Sequence, residues 1–177
     1  MNLTEPEFTV LRQTIATRGT ARVILCPLTL LGWATVMGTE SLHGDPTLAA
    51  LISLVVLAAG FEAIHALHVG VERIGRYLQV FYEADGDGPR WETTTMASGT
   101  ALPGGGVDPL FTVLFACAVA VNLVPGLMAS PTPVELGVTA SLHVALLVRL
   151  VRARGAAGRQ RAVELESYRA MKSRGRS

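Results

Sequence analysis

Four stretches of about 20 residues, each with an almost uncharged centre, dominate this 177-residue chain, and about 20 apolar residues in a helix are what a bilayer core requires. They fall at residues 20–39, 47–69, 109–129 and 133–151. Charged residues make up 16% of the chain, against about 25% in an ordinary soluble domain. Mean hydropathy is +0.41. An apolar content of 50% excludes disorder, and the clustering of charge excludes one soluble domain. The pattern predicts an all-α, polytopic membrane protein: a single membrane domain over residues 1–177, with four transmembrane helices.

Arginine placement predicts orientation, because cytoplasmic loops collect Lys and Arg. Arg12, Arg18 and Arg22 precede the first span, whereas the 39–46 loop has no basic residue. Arg73, Arg76 and Arg90 follow the second span, and the turn at 130–132 again has none. The other nine basic residues, Arg149 to Arg176, follow or close the fourth span. All 15 thus fall on one side, as an even number of spans requires, and both termini are expected in the cytoplasm. Arginine outnumbers lysine 14 to 1, a bias of GC-rich bacterial genomes, so the expected location is the inner (plasma) membrane. The acidic N-terminus has no positive region before its first apolar run, so no cleavable signal peptide is expected.

Between the spans, residues 4–19 read as an amphipathic helix, with Thr4 and Glu7 spaced as a capping box and Phe8, Leu11 and Ile15 on one face. This helix runs along the inner surface or directly into the first span. Pro27 is expected to kink that span. Residues 84–108 form a Gly-rich cytoplasmic loop that reads as a flexible linker. Its Gly104, Gly105 and Gly106 lack the Lys-Ser/Thr of a phosphate loop. Residues 152–177 form a basic cytoplasmic tail. Cys26 and Cys117 lie in apolar stretches without ligand spacing and read as small hydrophobes.

The second helix carries the suggestive chemistry. At about 100° per residue, Glu62, His65, Glu72, Arg73, Arg76, Gln79 and Glu83 share one arc. Leu57, Ile64, Leu67, Val71, Ile74 and Leu78 take the opposite one, and His68 lies at the boundary. This predicts a helix extended past the bilayer into the cytoplasm, its apolar face toward lipid and its polar face toward protein. Counted from Thr47, Glu62 lies ~22 Å deep, in the inner third of the hydrocarbon. An ionised carboxylate there costs a few kcal/mol unless paired, protonated or hydrated.

His65, or charge from Arg73 and Arg76, could offset that cost. In a structural role the stripe is a polar clasp, with Glu62 bonded to His65 or a neighbouring helix and Glu72 paired with Arg76 at i+4. This is the favoured expectation. In a functional role Glu62, His65, His68 and Glu72 would form a cation or proton site, and carboxylate plus imidazole suits a divalent metal. Glu62-Ala-Ile-His65 superficially resembles the Glu-x-x-His of di-iron bundles, which need a second copy and two further glutamates. A homodimer would supply the second copy.

His143 lies ~15 Å into the fourth span. Gly137, Ser141 and Ala145 form a small-residue row on nearly the opposite face, which suggests a central place or a subunit contact. A hydrogen-bonded histidine is expected there rather than a haem ligand. Asn122 is expected to bond another helix. The basic tail reads as a topology determinant that could also touch anionic lipid, with no nucleic-acid module. No catalytic or cofactor fingerprint appears, so no enzyme is indicated. The expected function is that of a small four-span membrane protein, a homo-oligomer or a subunit of a membrane complex. The alternative is a cation- or proton-coupled transporter, or a metal-binding membrane protein, using Glu62 and His65.

Overall fold

The computed structural model describes residues 5–43, 45–84, 90–98 and 109–175, and these are helical apart from short turns. α1 is Glu5–His43, α2 Pro46–Leu78, α3 Trp91–Ser98, α4 Pro109–Met128 and α5 Pro133–Arg174. No strand occurs among the described residues. α1, α2, α4 and α5 are long and apolar enough to cross a membrane.

Local chemistry explains where these helices start and stop. α1 opens with Glu5 and Glu7 in its first turn, where the helix dipole favours acids. It runs unbroken through Pro27, so the N-terminal segment passes directly into the first apolar stretch. Its expected cap, Thr4, lies outside the described residues. The Asp45 carboxylate caps α2, accepting the Thr47 amide at 2.8 Å, with Pro46 at the first helical position. α2 continues as a π-helical turn, Gln79–Glu83. Beyond Met128, Ser130 adopts a left-handed conformation (φ 55°). Thr132 and Glu135 then close a capping box: the Thr132 amide and hydroxyl both donate to Glu135 Oε2 at 2.8 Å, and the Glu135 amide returns to the Thr132 hydroxyl.

The stretch expected to be a flexible linker contains α3. Its N-terminus is capped from outside: the Glu83 carboxylate accepts the amides of Glu92 and Thr93 at 2.7 and 2.8 Å, and the Thr93 hydroxyl at 2.7 Å. A carboxylate at a helix start satisfies amides that the helix leaves open. The three glycines at 104–106 lie outside the described residues.

Contacts divide the chain into two compact units. The apolar unit comprises Val23–His65 and Leu110–Ala153. Its core holds Cys26, Leu57, Phe61, Ile64, Phe115 and Leu150, among others. Phe61 meets Phe115 edge-on, ring centroids 5.6 Å apart. Gly60 permits close helix approach, since a Cβ there would collide with the Thr29 side chain.

The facing of α2 in this unit reverses the sequence expectation. Leu57 and Ile64 are buried, while the Glu62 side chain is 49% exposed. Dispersion explains the reversal. Lipid solvates leucine as well as protein does, so the inward face is decided by which side chains interlock most densely. The branched residues of α2 fit against Phe115 and Leu150, and Glu62 takes its partner at the periphery.

The charged unit comprises Met1–Arg22, Ala66–Pro109 and Arg154–Ser177. Among the described residues it contains every basic one except Arg149 and Arg152. Tyr77, Phe81 and Tyr168 form one aromatic cluster, and Phe8 stacks on Tyr82 at 3.9 Å. Here too an apolar-arc residue, Leu78, is fully buried.

Candidate functional site

Asn122 is fully buried and joins all four long helices of the apolar unit. Trp33 Nε1 on α1 donates to Asn122 Oδ1 at 2.8 Å. An indole nitrogen can only donate, so this bond fixes which end of the amide is oxygen. Ser53 Oγ on α2 also donates to Oδ1. The Asn122 Nδ2 donates to the Ala50 carbonyl at 2.7 Å and to His143 Nε2 on α5 at 3.0 Å. His143 Nδ1 in turn donates to the Thr139 carbonyl at 2.7 Å. Nδ1 is therefore the donor of the ring and Nε2 its acceptor.

This arrangement locks a histidine and consumes both ends of the asparagine. Its chemistry is that of a clasp, and the interhelical bond expected of Asn122 and the hydrogen-bonded histidine expected at His143 are both present. The sequence reading did not single out Trp33, Ser53 or Thr139. A tryptophan with a single obligatory donor inside an apolar span was the available signal.

Glu62 meets Arg149 rather than His65, Arg73 or Arg76. Arg149 Nε and Nη2 grip its two carboxylate oxygens at 2.8 Å each, a bidentate pair with fixed geometry. The two side chains are 49% and 40% exposed. Arg149 also lies over the Phe61 ring, 5.9 Å from its centroid, and His65 stacks on that ring at 5.8 Å.

The other candidate residues belong to the charged unit. Arg22 Nη1 donates to His68 Nδ1 at 2.7 Å. Arg76, 3% exposed, bonds Glu164 at 2.8 Å and Glu72 at 3.3 Å. The i+4 pair expected from spacing is therefore present. Arg73 also reaches Glu164, at 3.1 Å, and Gln160 donates to the same carboxylate. Glu164 is thus the hub, and it stands 88 and 91 residues from its two arginines. No local spacing could have identified it. Arg12 pairs with Glu92 at 2.9 Å. Burial pushes the Glu92 carboxyl above the usual glutamate range, with Arg12 pulling the other way.

Glu62, His68 and Glu72 each hold an arginine. Among the described residues no three His, Cys, Asp or Glu side chains converge on a metal-sized centre. No protein-family model, curated protein or solved structure matches this chain.

Proposed function

We propose that this chain is a multi-pass protein of the bacterial inner membrane, both ends cytoplasmic. It serves as a non-catalytic subunit of a membrane assembly, self-associating through the face that carries Glu62 and Arg149. The observation behind this reading is the outward position of that ion pair on the apolar unit. Ala59 and Ala63 flank Glu62 and are exposed. On α5, Gly137, Ser141 and Ala145 are exposed, and Arg149 takes the next i+4 position of their row. Hydrocarbon solvates an ion pair poorly, and small residues let a second helix come close enough to cover it. Outward-facing Val55, Val121, Val144 and Val151 suit lipid as the remaining solvent. The arginines gathered in the charged unit support the cytoplasmic assignment.

Single cysteines at position 63 or 145, in a background with Cys26 and Cys117 replaced by alanine, test the association. Oxidation in native membranes is expected to trap a dimer at both positions and not at exposed Val121. A monomer throughout, or equal trapping at 121, overturns the proposal. A periplasmic reporter active after Ser177 overturns the orientation. Transport of a cation or proton through Glu62 and His65, the alternative role, requires Glu62 to exchange partners, which the bidentate grip of Arg149 opposes.

A further inference from the structure

The charged unit holds an open cavity of about 370 Å³ beside the π-helical turn, within the size range of small-molecule sites. Three cationic side chains line it: Arg90, Arg169 and Lys172. Among its described lining residues the acid is Glu83, which is buried and whose oxygens already accept the two α3 amides and the Thr93 hydroxyl. Among the described residues neither Arg90 nor Arg169 has a side-chain hydrogen bond or ion pair. One lining residue, Gln79, carries an orphan of the opposite kind. Gln79 Oε1 is buried without a hydrogen-bond donor, an arrangement that costs free energy unless a ligand supplies one. Gln79 lies on the π-helical turn Gln79–Glu83, and such turns recur at functional sites.

We propose that this cavity binds a phosphate ester, its phosphate held by Arg90 and Arg169 and its neighbouring hydroxyl or ammonium donated to Gln79 Oε1. Planar guanidinium groups match phosphate oxygens, and the orphan acceptor calls for a donor close to the phosphate. A phospholipid headgroup and a soluble phosphoester share that chemistry.

Two probes separate the sources, with the full chain in nanodiscs. The first is sn-glycerol 3-phosphate, titrated into phosphatidylcholine nanodiscs. The second is phosphatidylglycerol, offered in mixed nanodiscs and counted by native mass spectrometry. One of them is expected to bind, and Arg90→Gln with Arg169→Gln lowers that binding at least about tenfold, the loss of two charge-assisted contacts. Arg161→Gln, in the same tail but outside the cavity, leaves it unchanged. Gln79→Leu weakens either ester yet spares inorganic phosphate. Binding of the soluble ester identifies a metabolite site, and retention of the lipid alone identifies a headgroup site. Failure of both probes overturns the proposal, as does an equal loss in Arg161→Gln, which would mean diffuse attraction to a basic tail.

Discussion

Trp33 on α1 donates its indole hydrogen to Asn122 Oδ1 on α4 at 2.8 Å, and this one bond orients the amide that holds α2 and α5. Replacing Asn122 with alanine removes the acceptor for Trp33 and Ser53 and the donor for Ala50 and His143. Intramembrane hydrogen bonds average about 0.6 kcal/mol and reach about 1.7. Loss of the whole network is expected to cost about 2–3 kcal/mol, with buried groups left open. Trp33→Phe should cost about 1 kcal/mol. Unfolding in mild detergent checks both, and equal effects would contradict the hub role of Asn122.

Gly60 and Thr29 should behave as one unit. A Cβ on Gly60 meets the Thr29 side chain, which is branched, buried and slow to yield. Gly60→Ala is expected to destabilise by about 1–3 kcal/mol, the usual range for overpacking. Adding Thr29→Ala should restore most of that loss. A double-mutant cycle measures the coupling, and additive single effects would refute the close approach.

Much of this was legible in the sequence, and the failures follow a rule. The apolar stretches could be read because hydropathy and length are local properties, and each lies on one of the four apolar helices α1, α2, α4 and α5. The Glu72–Arg76 pair could be read because i+4 spacing is local too. So could the Thr132–Glu135 box, which was present in the sequence but not read. The facing of α2 could not, because lipid solvates an apolar arc as well as protein does, and which side chains interlock across helices is not a local property. Glu164 could not, since its arginines are 88 and 91 residues away. α3 escaped because its cap, Glu83, sits nine residues before the amide it bonds.

Arg76 is nearly enclosed, so the acid that neutralises it matters more than the acid at its edge. Glu164→Ala is expected to destabilise the charged unit by about 3 kcal/mol, the cost of a stranded buried charge. Glu72 is 33% exposed, and Glu72→Ala should cost under about 1 kcal/mol after screening. Arg76→Met combined with Glu164→Ala should recover much of the loss. Amide exchange over residues 72–80 reads each effect.

Glu92 makes stability depend on pH. Burial raises its carboxyl in the folded chain above the unfolded value, so the folded state binds the proton more tightly. Stability from this group is complete below the unfolded value and is lost as pH rises through the folded one. Relative to Glu92→Gln, wild type should therefore gain stability as pH falls from neutral into the window just above the ordinary glutamate range. Parallel unfolding curves at several pH values check the sign, and a gap independent of pH would contradict it.

The proposed role of the polar groups in the apolar unit is to join helices, with no passage of ions. Its most direct test is metal content and proton or cation flux, measured on one preparation reconstituted in liposomes, wild type beside Glu62→Gln. No stoichiometric metal and no flux above empty liposomes are expected in either sample. Bound metal, or flux that Glu62→Gln abolishes while the protein stays folded, would contradict it.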